Sequence, residues 1–248
     1  MSLNVKKYGS AEPCLFIHGA GGSLSAWYFQ KELQKLMEVI FVDLPGHGGS
    51  PGPSLSKIED MRDAIIETLH SLNIEKPFIV GHSMGGAIAL SLALTHPESV
   101  KGLILVGTGA RLKVMPDFLD GVLKDKEGTL KLVTEVAFGR NTPAEMKEGG
   151  FREMMKCDAR TIYNDYYACN HFDVMDSVRE IKIPTLAVCA GSDLMTPPKY
   201  SEYICSQIKG SRIELIEGIG HMIMLERPVE FNKAIEGFVR NWSAKSGE

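Results

Sequence analysis

The sequence predicts an α/β protein: a mostly parallel, doubly wound sheet that carries one inserted helical cap. Three observations lead there. Short apolar, β-branched runs alternate with helical patterns, as in parallel strands joined by crossover helices. The runs are apolar without a period of two, which suits strands covered on both faces. The alternation then stops between residues 111 and 178, where charged residues alternate with Leu, Val, Phe, Met and Tyr in helical patterns and no continuous apolar strand occurs. A chain of 248 residues is therefore read as a core of residues 1–110 and 179–248 with a cap, or lid, at 111–178.

In chain order, a strand is expected at 14–18, an amphipathic helix at 27–36 and a second strand at 39–42. A helix at 58–72 leads to a strand at 78–80. The next helix starts at Met84 and stops before Pro97, because the residue preceding a proline is pushed out of the helical region. A strand at 102–106 follows. After the insertion the pattern resumes with a strand at 185–190, a helix at 198–208, a strand at 213–216 and a terminal helix at 229–242. No internal repeat or low-complexity tract is present.

Charge and composition exclude several classes. Lys and Arg number 27 against 31 Asp and Glu, a net charge of −4, and the charges are dispersed. A nucleic-acid partner, which needs basic residues gathered on one face, is not expected. No apolar run approaches the roughly 20 residues of a membrane span, and the first eight residues hold no apolar stretch of signal length. The five cysteines, Cys14, Cys157, Cys169, Cys189 and Cys205, are odd in number and without metal-like spacing. Reduced, mostly buried thiols in a cytoplasmic protein are expected. No H-E-x-x-H, C-x-x-C or dinucleotide G-x-G-x-x-G occurs, so neither a metal nor an organic cofactor is called for.

The most specific feature is Gly81-His82-Ser83-Met84-Gly85-Gly86, directly after one predicted strand and directly before a predicted helix. It fits G-x-S-x-G in the context that pattern requires. A turn this tight strains the serine backbone and leaves no room for a β-carbon at Gly81 or Gly85. Ser83 is pushed into the open at the C-terminal edge of the sheet, beside the positive end of a helix dipole.

A serine hydroxyl needs a base within hydrogen-bond reach, itself oriented by an acid. His70 and His96 read as surface or capping residues, and His171 lies in the cap. The elbow aims His82 away from Ser83. His18 and His47 stand where they could line the mouth of a site. His221 fits best as the base, because it lies in a glycine-rich loop after strand 213–216, on the same sheet edge as Ser83. Asp193, in the loop after strand 185–190, has the matching placement for the acid.

The order Ser83, Asp193, His221, each after a strand, is the chain order of the α/β-hydrolases. The sequence resembles that superfamily from His18 to His221, and in particular its small capped serine hydrolases such as carboxylesterases, lactonases and carbon–carbon bond hydrolases. The resemblance implies the α/β-hydrolase fold, a triad of Ser83, Asp193 and His221, and an oxyanion hole of backbone N–H groups from Ala20, which follows His18-Gly19, and from Met84. The segment Asp43-Leu44-Pro45-Gly46-His47-Gly48-Gly49-Ser50 also resembles a family signature, in which Asp43 and His47 stabilise a turn.

The expected activity is serine hydrolysis of carboxylic esters with small to medium apolar acyl or aryl groups, through an acyl-enzyme on Ser83. The expected partner is thus a small-molecule ester. A serine at the elbow excludes relatives that attack with a carboxylate there, the haloalkane dehalogenases and epoxide hydrolases. The alternatives are a carbon–carbon bond hydrolase, a lactonase or a thioesterase of the same fold, or a slow-turnover ligand receptor. His18, Gly19, Trp27, Met195 and Met222 are expected to border the substrate, with the cap supplying the remaining apolar wall.

Overall fold

The structure, a computed structural model, describes residues 2–245. Among them seven strands form one sheet: β1 (Val5–Tyr8), β2 (Pro13–Ile17), β3 (Glu38–Val42), β4 (Phe78–His82), β5 (Gly102–Val106), β6 (Thr185–Ala190) and β7 (Arg212–Ile216), in the order β1-β3-β2-β4-β5-β6-β7. All neighbours pair in parallel except β1, which runs antiparallel to β3 with Val5 opposite Val42. The sheet is mostly parallel, as the sequence predicts. Strand β1 escapes the sequence reading because it is four residues long, lies at an edge and is half polar, so it has no apolar run to announce it.

The helices are α1 (Ile58–Ser71), α2 (Met84–Thr95), α3 (Pro116–Lys124), α4 (Lys126–Ala137), α5 (Ala144–Lys156), α6 (Ala159–His171), α7 (Pro198–Gln207), α8 (Ile223–Glu226) and α9 (Pro228–Lys245). The helix expected at 27–36 is instead a 3₁₀ run, Leu24–Lys35, capped by Ser23 and kinked at Trp27 (φ −99°, ψ 18°). The fully buried Trp27 ring sits 5.2 Å from Phe16 and 6.3 Å from Phe231.

Alternate residues of β2 to β5 feed two cores. Leu15, Ile17, Ile40 and Val42 join α1 and α2 on one face; Cys14, Phe16, Val39 and Phe41 join the 3₁₀ run and α9 on the other. Both faces are apolar, which is why the strands lack a period of two. Helix α2 is buried from Met84 to Ala93, so its sequence has no polar stripe.

Helices α3 to α6 lie between β5 and β6 and build a third cluster from Phe118, Val122, Leu130, Val133, Ile162 and Tyr166. Ala20, in the loop after β2, packs against it, which sets these helices over the C-terminal end of the sheet. Among the described residues no helix is long and apolar enough to cross a membrane.

Candidate active site

Ser83 sits in the turn from β4 to α2 at φ 52° and ψ −115°, a left-handed conformation costing a non-glycine residue about 1–3 kcal/mol. The surroundings impose it. A β-carbon on Gly81 would lie 2.2 Å from the Gly85 carbonyl oxygen, and one on Gly85 would lie 2.2 Å from that of Ile17. The Ser83 amide donates to the Val106 carbonyl at 2.9 Å, and its carbonyl accepts from Thr108 Oγ1 at 2.8 Å. Its hydroxyl is in no hydrogen bond among the described residues, and Ser83 borders a cavity of about 110 Å³.

Asp193 and His221 come together on neighbouring loops. Asp193 Oδ1 accepts from the amides of Met195 (2.8 Å) and Thr196 (2.9 Å). Its Oδ2 accepts from His221 Nδ1 and from Thr196 Oγ1, both at 2.8 Å. Burial alone would raise the Asp193 carboxyl, but His221 and the Thr196 hydrogen bonds outweigh it and hold the group well below the usual carboxylate range. A neutral imidazole that donates from Nδ1 to a carboxylate has its lone pair on Nε2. The ring stands over Gly107, where a β-carbon would come within 3.2 Å of Nδ1. Gly107 adjoins Val106, the residue that holds the Ser83 amide.

The backbone of His221 is fastened twice. Its amide donates to the Ala137 carbonyl at 2.7 Å, and its own carbonyl accepts from His82 Nε2 at 3.1 Å. Burial, with His221 beside it, pushes His82 down to about 3, so it stays a neutral donor. The buried carboxylate of Glu226 accepts from the amides of Gly220 (3.0 Å) and Gly139 (2.9 Å), tying the His221 loop to the end of α4.

The N–H groups of Ala20 and Met84 donate to no protein acceptor among the described residues, and Ala20 borders the cavity. Gly19 lies beneath: a β-carbon there would be 3.2 Å from Ser83 Cβ. His18 donates from Nδ1 to the Gly19 carbonyl (2.8 Å) and accepts at Nε2 from the Leu44 amide (3.1 Å), which fixes a neutral tautomer.

Of the residues expected to border the substrate, Met195 is in the cavity wall and Gly19 underlies it. The structure corrects the other three. Trp27 is wholly inside the core, on Phe16 and Phe231. His18 is fully buried behind its loop, with both ring nitrogens engaged by backbone. Met222 packs against the same core as Trp27. The wall comes instead from Leu112, Val114, Phe118, Val136 and Tyr166, with Leu194 and Met115 at a more exposed rim. Cys169 also borders it, but burial pushes its thiol up, so it is not a thiolate. Among the described residues no group of three His, Cys, Asp or Glu side chains could hold a metal ion.

Sequence reasoning missed Thr196, His82 as a support, Glu226, and Asp165 on α6. Asp193-Leu194-Met195-Thr196 has the short spacing of a side-chain-capped turn, which could have revealed Thr196. Asp165 interrupts the apolar stripe Ile162, Tyr166, Cys169 at helical spacing, a carboxylate where α6 turns inward.

Comparison with known proteins adds to this geometry. A sequence model of the Alpha/beta hydrolase family matches residues 14–234. The chain is 28% identical to a pimeloyl-[acyl-carrier protein] methyl ester esterase of Neisseria meningitidis, covering 90% of this chain and 91% of that one. It is 26% identical to 3-oxoadipate enol-lactonase 2 of Acinetobacter baylyi, over 98% of this chain and 95% of that protein. Among solved structures it is similar to a thermophilic esterase, with a TM-score of 0.87 and 33% identity, covering 97% and 94% of the two chains.

Proposed function

Because this chain belongs to the alpha/beta hydrolase family, we propose that it is a serine hydrolase cleaving carboxylic esters with small apolar acyl or aryl groups. Residues 1–110 and 179–248 act as the catalytic core and residues 111–178 as a cap. One observation carries the reading: Asp193 and His221 pair at 2.8 Å, and Thr196, which bonds to that pair, borders the same cavity as the strained Ser83.

In the proposed reaction His221 Nε2 takes the Ser83 proton as Oγ bonds to the ester carbonyl carbon. The resulting oxyanion is held by the Ala20 and Met84 N–H groups, preorganised donors of a kind worth roughly 3–4 kcal/mol each. The carbon–oxygen bond to the alcohol then breaks, and the alcohol leaves with the proton from His221. Water, deprotonated by the same histidine, attacks the acyl-serine; the bond from the acyl carbon to Oγ breaks, His221 returns the proton to Ser83 and the acid leaves. The reaction needs Ser83 Oγ within reach of His221 Nε2, a bond that often tightens only in the substrate complex. Asp193 keeps the Nδ1 proton in place throughout.

A cavity of about 110 Å³ with walls such as Phe118, Val136 and Met195 favours short acyl groups, since pockets for drug-sized ligands measure roughly 300 Å³ or more. The test is a panel of p-nitrophenyl acetate, butyrate and longer esters, a lactone and a thioester, with Ser83→Ala as control and a fluorophosphonate to label Ser83. Short esters should turn over fastest and Ser83→Ala should abolish both turnover and labelling. Undiminished turnover in Ser83→Ala, or wild-type rates at the uncatalysed background, overturns the reading.

A further inference from the structure

Asp165 lies on α6, within the segment inserted between β5 and β6, and is fully buried. Its Oδ2 accepts two hydrogen bonds of 2.8 Å, one from the Gly21 amide and one from His47 Nε2. Its Oδ1 is buried with no partner in the chain, so the negative charge has to be balanced close by.

His47 supplies the balance. It is buried as well, and its Nδ1 lies 3.1 Å from the Pro45 carbonyl oxygen. A carbonyl and a carboxylate can only accept, so both ring nitrogens are placed to donate, the arrangement an imidazolium satisfies. The groups that face it are Asp165 from α6, Asp43 from the end of β3, and neutral His18, whose ring centroid is 4.9 Å away. Burial opposes a charge on His47, but Asp165, the Pro45 carbonyl and Asp43 together more than offset it, so the net shift is upward.

The two peptide groups flanking Ala20 are thereby fixed from opposite sides. The Gly19–Ala20 peptide is held by its carbonyl, which accepts from His18 Nδ1 and from the Gly22 amide at 3.1 Å. In a trans peptide the N–H points away from the C=O, so the Ala20 N–H is turned away from His18. The Ala20–Gly21 peptide is held by its N–H on Asp165.

We propose that Asp165, held charged by the His47 imidazolium, is a positioning residue through which the inserted segment fixes the Ala20 oxyanion donor. The inference rests on the serine-hydrolase reading and deepens it: the insertion frames the catalytic apparatus as well as walling the substrate. Asp165→Asn keeps the shape and an acceptor for Gly21 but has no charge to retain the second proton of His47.

Two measurements test it. Nitrogen-resolved NMR of the wild-type His47 ring should show both nitrogens protonated at pH 7, and Asp165→Asn should bring its titration down. In the same variant kcat should fall by about 10- to 100-fold with KM nearly unchanged, less than the roughly 10²–10³ of losing an oxyanion donor outright. Affinity for a boronic acid transition-state analogue should fall in parallel. A neutral wild-type His47 at pH 7 overturns the proposal without relying on any variant folding. So does an Asp165→Asn protein with wild-type kcat and analogue affinity. Should wild-type turnover depend on Ser83 while Asp165→Asn is unaffected, only the positioning role fails; turnover that survives Ser83→Ala removes the serine-hydrolase reading itself.

Discussion

Two buried histidine–aspartate pairs, each 2.8 Å long, stand at the same end of the sheet, and they do opposite things. In Asp193–His221 the carboxylate meets Nδ1, and Nε2 is in no hydrogen bond among the described residues. In Asp165–His47 the carboxylate meets Nε2, and Nδ1 donates to Pro45. On the proposed reading the first pair contains a base and the second a cation with no lone pair to offer. What separates them is the partner of the second ring nitrogen rather than the residue types, the distance or the burial. The carboxylates differ in the same way: both oxygens of Asp193 are satisfied, whereas Asp165 has one bare oxygen and depends on the imidazolium.

Breaking the first pair gives the largest expected effect. In Asp193→Asn the amide N–H₂ can face Nδ1, which moves the ring proton to Nε2 and removes the base. The kcat for a p-nitrophenyl ester should drop by about 10⁴, with KM little altered. A drop of only a few-fold would mean that Asp193 does not set the tautomer of His221. The weaker loss in Asp165→Asn then ranks the two carboxylates by whether they act on the base or on the oxyanion donor.

Stability against pH sharpens the contrast next. His18 and His82 are buried neutral and their values lie far below the ordinary 6.5. Their contribution is complete above pH 6.5 and is lost as pH falls toward about 3, because the unfolded chain binds protons that the folded chain refuses. Each can cost up to about 1.4 kcal/mol per pH unit in that window. His47 has the opposite sign: its raised value gives stability that is complete below 6.5 and fades as pH rises through the folded value. Urea unfolding from pH 4 to 9 should show a steep acid loss and a shallower alkaline one. Asp165→Asn should lose the alkaline component alone, and an unchanged alkaline limb would place the charge elsewhere.

These contrasts mark how much of the molecule can be read in the sequence. Strands β2 to β6 are legible because both faces are buried, so each is an apolar run bounded by turn residues. The Gly81–Gly86 elbow is legible because its serine and glycines stand in a fixed pattern directly between a strand and a helix. The positions of Asp193 and His221 follow from loops that succeed strands. Asp165 and Glu226 are not legible, since each is defined by an amide it meets far off in the chain: Gly21 for Asp165 and Gly139 for Glu226. Trp27 misleads for a similar reason, as an aromatic near a candidate loop reads as pocket wall until a kink in the 3₁₀ run turns it into the core.

The smallest expected effect separates a support from the base it serves. Thr196 donates to Asp193 Oδ2 at 2.8 Å, and its hydroxyl lies 3.1 Å from His221 Nδ1, so it fixes the corner where acid and base meet. Thr196→Val keeps the side-chain shape beside the cavity and removes one of four hydrogen bonds to the carboxylate. A hydrogen bond to a charged group is worth about 1.5–3 kcal/mol, and thermal unfolding should register a loss of that order. Since the two amides and His221 still hold Asp193, kcat should fall by less than about tenfold, and Thr196→Ser should restore both properties. A loss in Thr196→Val as large as that in Asp193→Asn would show that the hydroxyl, and not the carboxylate alone, keeps the proton on Nδ1.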